Sequence, residues 1–86
     1  MGIRVRKVDN FYGIWDSCNC EFVNPEYLGI KEEEIRGYLK SNPFPRSRDY
    51  SEEEMIQDVC NSSGSLIIPG TEEQAEYVAE MIFRLI

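Results

Sequence analysis

TEEQAEYVAEMIFRLI, Thr71 to Ile86, is the most strongly patterned stretch of the chain. Thr71 followed by Gln74 has the spacing of a capping box, in which each side chain binds a backbone N–H that the helix start leaves unpaired. Four charged residues of the stretch fall in one narrow arc of the helix: Glu73, Glu76, Glu80 and Arg84. Apolar residues fill most of the rest, whereas a surface helix usually carries an apolar stripe of little more than about 100°. The sequence therefore predicts a helix that is buried on two sides or that has a partner.

This excess of apolar surface has two interpretations. In the first, the helix is the central element of the fold, with a sheet on one side and two shorter helices on the other. In the second, Tyr77, Met81 and Leu85 flank the buried stripe and form a surface for a second copy of the chain or for another protein. Both stay open, because a chain of 86 residues has little material with which to surround a helix.

The acidic charge of the chain is mostly explained by its predicted helices. The formal net charge is −7, from sixteen acidic and nine basic residues. Eight of the carboxylates lie in the first turns of three predicted helices, in the runs 32–34, 52–54 and 72–73. Acidic side chains stabilise the positive end of the helix dipole at these positions. The remaining acidic residues are balanced by the basic ones, which argues against an acidic mimic of nucleic acid.

The rest of the chain predicts an α+β fold. Two strands, Ile3–Val8 and Phe11–Asp16, flank Asp9-Asn10, a pair that suits a tight hairpin turn. The other predicted elements are strands at Cys20–Val23 and Ser65–Ile68, helices at Lys31–Lys40 and Ser51–Asn61, and a proline-containing loop from Ser41 to Tyr50 held by Phe44 and Tyr50. We therefore expect a small single α+β domain over 1–86. In it, an N-terminal antiparallel β-meander and a short later strand pack against three helices, and the C-terminal helix is central.

The predicted hairpin register separates a core face from an aromatic and basic face. With the turn at Asp9-Asn10, Val5 pairs with Ile14 on the core side. The opposite face then gathers Arg4, Arg6, Phe11 and Trp15. Cations beside aromatic rings are the ingredients of a platform for single-stranded nucleic acid, but such proteins normally carry a basic footprint and this chain is acidic. We therefore expect no nucleic-acid partner and interpret the face as a cation–π pair of Arg4 with Trp15 on a half-covered sheet.

The chemical repertoire of the chain is narrow. It contains no histidine, which excludes Ser-His and Cys-His catalysis and every histidine-based metal site. It also lacks a glycine-rich phosphate loop and a nucleophile elbow, so we expect a protein that is not an enzyme. Cys18 and Cys20 are separated by a single residue, which is closer than the usual spacing of zinc ligands. We interpret Cys20 and Cys60 as small core residues that stay reduced.

A divalent cation is the alternative ligand, because carboxylates are plentiful. The turn from Asp16 to Glu21, with Glu33 as a folded neighbour, supplies oxygen atoms of the kind that calcium prefers. Calcium needs roughly six to eight oxygen ligands, and the chain has neither the glycine nor the spacing of an EF-hand loop. The sequence therefore predicts at most a weak calcium-type site at Asp16, Glu21 and Glu33, and no other cofactor.

These observations predict a non-enzymatic module for protein interaction or self-association, which uses Tyr77, Met81 and Leu85 of the apolar C-terminal helix. The weak divalent-cation protein is the alternative function. No apolar run reaches the roughly 20 residues that a membrane span needs, and the N-terminal residues lack the apolar region of a signal peptide. We therefore expect a cytoplasmic protein with a protein partner or a second copy, and without a membrane partner.

Overall fold

A computed structural model describes residues 2–86, which form four strands and three α-helices. The strands are β1 (Ile3–Val8), β2 (Phe11–Asp16), β3 (Glu21–Phe22) and β4 (Ile67–Ile68). The helices are α1 (Glu32–Ser41), α2 (Glu52–Asn61) and α3 (Glu72–Leu85), and a short 3-10 turn covers Pro25–Tyr27. The first three strands form an antiparallel meander, so the predicted α+β fold is confirmed.

β1 and β2 form the hairpin in the register that the sequence predicts. Val5 lies opposite Ile14, and Arg4 lies opposite Trp15. The turn places Asp9 in the left-handed region with a φ of 55°, a conformation that aspartate tolerates better than most residues. Because side chains alternate along a strand, Val5 and Ile14 point toward the helices while Arg4 and Trp15 point the other way.

β3 and β4 share one side of β2, which makes each of them shorter than predicted. Trp15 of β2 pairs with Phe22 of β3, and Tyr12 of β2 pairs with Ile68 of β4. At the junction, three backbone hydrogen bonds form a closed triangle: Val23 N–H to the Ile14 carbonyl at 2.8 Å, Ile14 N–H to the Leu66 carbonyl at 3.1 Å, and Leu66 N–H to the Val23 carbonyl at 2.8 Å. Both segments therefore bond to β2 at Ile14, and one backbone hydrogen bond between Leu66 and Val23 joins them to each other.

Reciprocal side-chain caps fix the starts of α2 and α3, as predicted. Ser51 Oγ accepts a hydrogen bond from the Glu54 N–H at 3.1 Å, and Glu54 Oε1 accepts one from the Ser51 N–H at 3.2 Å. Thr71 and Gln74 exchange the corresponding two bonds at 3.1 and 3.0 Å. Each pair satisfies two backbone donors that the first helical turn would otherwise leave without a partner.

α3 is the central helix of the fold. It packs against β1 and β2 and also contacts α1, and its residues Val78, Met81 and Ile82 are fully buried. Other fully buried side chains come from the sheet and from both remaining helices: Ile14, Ile35, Met55, Ile56 and Ile68. The excess apolar surface of this stretch is therefore used largely within the chain. No helix among residues 2–86 has the length and apolar character needed to cross a membrane.

One buried amide holds the loop between α1 and α2 against the start of α3. Gln74 Nε2 donates to the carbonyl oxygens of Pro45 at 2.8 Å and of Tyr50 at 3.0 Å. Gln74 Oε1 accepts from the Thr71 N–H and from the Ser47 hydroxyl, both at 3.0 Å. A carboxamide has two donor and two acceptor positions, so every hydrogen-bonding position of this fully buried side chain is filled.

The predicted anchors of the same loop, Phe44 and Tyr50, are both buried. The Tyr50 hydroxyl donates to Asp58 Oδ2 at 2.5 Å, and burial together with this bond raises the pKa of Tyr50. The Phe44 ring lies edge-to-face with the Tyr77 ring, at a centroid distance of 5.1 Å. The loop therefore covers the side of α3 for which the sequence alone did not decide between burial within the chain and contact with a partner.

Candidate interaction surface

The interaction surface predicted on α3 is largely buried by contacts within the chain. Met81 is fully buried and has no free surface to offer a partner, contrary to its predicted place in an interface. Tyr77 is half-buried: its hydroxyl donates to the Asn42 carbonyl oxygen at 2.6 Å, and its ring lies edge-to-face with Tyr38. Leu85 is half-buried against the core. The physical reason is that α1 and the loop after it close over this side of the helix.

The side of the sheet that points away from the helices carries a second candidate surface. We call this side the open face. Alternation and strand pairing place seven side chains on it: Arg4, Arg6, Val8, Phe11, Trp15, Phe22 and Ile67. Arg4, Arg6 and Phe11 are exposed, and the others are half-buried. The face predicted from four hairpin residues therefore exists, and β3 and β4 extend it.

Gly13 lets the Phe22 ring lie across the backbone of β2. A Cβ atom at Gly13 would come within 2.8 Å of Phe22 Cδ1, closer still to Cε1, and within 3.2 Å of Ile67 Cδ1. A larger residue there would push both side chains off the strand. Because Gly13 has no side chain, Phe22 of β3 and Ile67 of β4 occupy the centre of the open face.

The cation–π pair on the open face involves Arg6 and not Arg4. The Arg6 guanidinium carbon lies 4.5 Å from the centroid of the Trp15 ring. The sequence-based prediction chose Arg4 because it lies directly opposite Trp15, but Arg6 reaches the ring diagonally across the strands. The Trp15 ring also lies edge-to-face with Phe22 at 5.0 Å. Among residues 2–86, salt bridges form only at Arg36 and Arg84, so neither arginine of the open face has a carboxylate partner.

β1 is an edge strand with one unpaired side. The Ser17 N–H donates to the Gly2 carbonyl oxygen at 2.9 Å and so continues the β1–β2 ladder. Because hydrogen-bonding direction alternates along an antiparallel strand, the N–H and C=O groups of Ile3, Val5 and Lys7 point away from β2. Within residues 2–86, no other strand pairs with β1 and no other segment bonds to these outward groups.

A shallow cleft adjoins the open face at β3. It has a volume of about 360 Å³ and is lined by Trp15, Glu21, Phe22, Asn24, Tyr27, Gly64 and Ser65. Tyr27 is 82% exposed, the highest value among the exposed large hydrophobic residues. The cleft therefore continues the aromatic character of the open face toward the 3-10 turn.

The residues proposed for a cation do not assemble into a metal site. Asp16 and Glu21 are paired neighbours on β2 and β3, but Glu33 lies on α1. Asp16 caps its own turn, since its carboxylate accepts from the Cys18 N–H at 2.9 Å and from Asn19 Nδ2 at 2.8 Å. Among residues 2–86, no three Cys, Asp or Glu side chains are grouped closely enough to hold a metal ion.

The cysteines match their sequence-based interpretation only in part. All three are free thiols. Cys60 is half-buried, and burial raises the pKa of its thiol. Cys20 was expected in the core, but it is exposed at the end of the turn before β3 with a φ of 53°. The reason is that β3 begins one residue later than predicted, which leaves Cys20 in the turn.

Sequence reasoning missed Phe22, Ile67 and Tyr27 as parts of the candidate surface. For Phe22 a signal existed, because continuing the meander register places it beside Trp15. For Ile67 no local signal existed, because the pairing of β4 with β2 depends on the path of more than 40 intervening residues. The comparisons with protein-family models, with curated proteins and with solved structures found no match for this chain.

Proposed function

We propose that the chain is a non-enzymatic protein-interaction module whose docking surface is the open face of its sheet. The observation that carries the proposal is the pair Arg4 and Arg6, which are exposed and form no salt bridge within residues 2–86, in a chain whose net charge is −7. Phe11 is exposed beside them, and Trp15 and Phe22 are half-buried. Arginine and aromatic side chains are enriched where proteins bind each other.

A protein partner fits this surface better than single-stranded nucleic acid. Nucleic-acid platforms present free aromatic rings on which bases stack. The Trp15 ring instead carries the Arg6 guanidinium at 4.5 Å and abuts Phe22. The net charge of the chain would also repel a phosphate backbone.

Site-specific photocrosslinking in cells that produce the chain tests the proposal. Phe11 and Phe83 form a matched pair, because Phe11 on the open face is 44% exposed and Phe83 on α3 is 46% exposed. Each is replaced in turn by p-benzoylphenylalanine, and crosslinked proteins are identified by mass spectrometry. We expect a discrete crosslinked protein from the Phe11 position and none from the Phe83 position.

Any captured protein is then purified, and its affinity for the unmodified chain is measured by calorimetry. Saturable binding that is lost in an Arg4→Glu/Arg6→Glu variant supports the proposal. Crosslinks from Phe83 alone would show that the interface lies at the end of α3 and not on the open face. The absence of crosslinks from both positions would refute an interaction module that uses either surface.

A further inference from the structure

Resting on the proposed function, we infer that the free side of β1 receives an extended acidic segment of the partner protein. The segment adds to the sheet as an antiparallel strand, and carboxylates at alternate positions meet Arg4 and Arg6. This assigns a binding mode and a partner chemistry to a surface whose partner is otherwise undefined.

The backbone of β1 supplies the template for such a strand. The N–H and C=O groups of Ile3, Val5 and Lys7 point away from β2 and have no bonding partner elsewhere in residues 2–86. An extended peptide gains affinity from main-chain bonds to an edge of this kind, and its side chains supply the specificity. All strand pairs of this sheet are antiparallel, so an added antiparallel strand continues its pattern.

The side chains of β1 define what the added strand must carry. Arg4 and Arg6 project from the open face and are exposed, while Ile3 and Val5 point toward the helices and are half-buried. Residues directly opposite each other on paired strands have Cβ atoms about 4.5–5.5 Å apart, so their side chains interact. A strand that alternates acidic and apolar residues therefore places carboxylates against the arginines and apolar groups against Ile3 and Val5.

A second copy of the chain does not fit the same edge. In a two-fold antiparallel pairing centred on Val5, Arg4 of each copy lies opposite Arg6 of the other. Shifting the register by two residues in either direction places Arg4 opposite Arg4 or Arg6 opposite Arg6. Like charges directly opposite each other destabilise a strand pair. The arginines therefore oppose self-pairing, which is a common protection of edge strands, and they favour an acidic strand.

Fluorescence anisotropy with designed peptides tests the inference on the full chain. The probe is a labelled, end-blocked peptide that alternates valine and glutamate, and its charge-reversed partner alternates valine and lysine. In the antiparallel arrangement, the valine N–H groups of the probe face β1 and the glutamate N–H groups face solvent. We expect the valine–glutamate peptide to bind, N-methylation of its valines to abolish binding, and N-methylation of its glutamates to leave binding intact.

Two charge-reversal variants separate the edge from general electrostatics. Arg4→Glu/Arg6→Glu should weaken binding of the valine–glutamate peptide by about tenfold or more, and should create binding of the valine–lysine peptide. Arg46→Glu/Arg48→Glu changes the net charge equally at two exposed arginines of the loop between α1 and α2, and should leave both affinities unchanged. The N-methylated peptides need no variant of the protein, so they test the inference even if a double variant folds poorly.

Several results would overturn the inference. These are no binding of the valine–glutamate peptide, equal binding after N-methylation of its valines, tighter binding of a thymidine oligonucleotide, or a β1-dependent dimer in sedimentation. If the valine–glutamate peptide does not bind while Phe11 crosslinks a cellular protein, the open face is an interaction surface, but the inferred binding by strand addition is wrong. If the peptide binds while Phe11 captures nothing, the edge is competent to bind but the proposed function fails.

Discussion

Replacing Gln74 by glutamate tests how the fold holds its longest loop. The substitution keeps the size of the side chain and an oxygen for the Thr71 N–H, but it removes the two donors that reach the Pro45 and Tyr50 carbonyls. Leaving a buried polar group without its partner costs about 1–3 kcal/mol, which is the loss expected at the Pro45 carbonyl. The Tyr50 carbonyl adds less, because it also lies 3.3 Å from the Ser47 hydroxyl, which can donate to it. A domain of this size has a free energy of unfolding of roughly 5–15 kcal/mol. We therefore expect Gln74→Glu to remove a large part of the stability.

The pH dependence of this loss identifies its cause. A carboxyl group buried against two carbonyl oxygens has its pKa raised above the unfolded value of about 4.3. The folded variant then binds the proton more tightly than the unfolded chain does. Its stability is therefore retained below about pH 4 and falls as the pH rises through the folded pKa. The deficit relative to the unmodified chain should be smaller near pH 4 than near pH 7, because a protonated carboxyl group donates one of the two lost bonds.

Urea unfolding followed by circular dichroism at both pH values measures the effect, and Gln57→Glu is the matched control. Gln57 is exposed on α2, so the same chemical change should alter stability by no more than about 0.5 kcal/mol there. Trypsin gives a local readout, since Arg46 and Arg48 lie exposed in the loop and should be cut faster in Gln74→Glu. Equal losses in the two variants, or a Gln74→Glu deficit that does not shrink at acid pH, would refute this account of the loop.

Three further predictions concern glycine positions and pH. Gly13→Ala should cost about 1–3 kcal/mol in urea unfolding because its methyl group meets the Phe22 ring, and a neutral result would contradict the packing of the open face. Gly37→Ala on α1, where a Cβ would meet nothing within 4 Å, should gain about 1 kcal/mol from helix propensity. Burial raises the pKa of Tyr77 to about 12, with further effects from Tyr38 and Glu52. Since the unfolded value is about 10, the stability from Tyr77 is full below about pH 10 and falls as the pH rises toward about 12. The melting temperature should follow this fall, and Tyr77→Phe should lessen it.

Elements governed by local chemistry were predictable from the sequence. The hairpin register follows from a turn pair at Asp9-Asn10 and from the period of two in the strands. The starts of α2 and α3 follow from capping boxes whose partners lie only three residues apart. In each case the deciding interaction lies within a few residues, so no tertiary information is needed.

Features that depend on distant parts of the chain were not predictable in the same way. The second role of Gln74, as the anchor of Pro45 and Tyr50, depends on residues 24 to 29 positions away. The burial of Met81 and the half-burial of Tyr77 depend on where α1 and its following loop lie. The spacing of apolar residues along a helix indicates how much of its surface must be buried. It does not indicate whether the residues that bury this surface belong to the same chain or to a partner.

The placement of charge gives the proposed partner a direction of approach. Residues 31–86, which include the three helices, carry twelve of the sixteen acidic residues and six of the nine basic ones, whereas Arg4 and Arg6 are exposed together on the open face. An acidic segment is repelled by the helical side and attracted to β1, so electrostatics favours the edge before any strand pairing forms. Salt screens this long-range term more than it weakens the main-chain bonds of an added strand. The association rate of the valine–glutamate peptide should therefore fall with ionic strength more steeply than its dissociation rate changes, and an association rate insensitive to salt would contradict the role given to the two arginines.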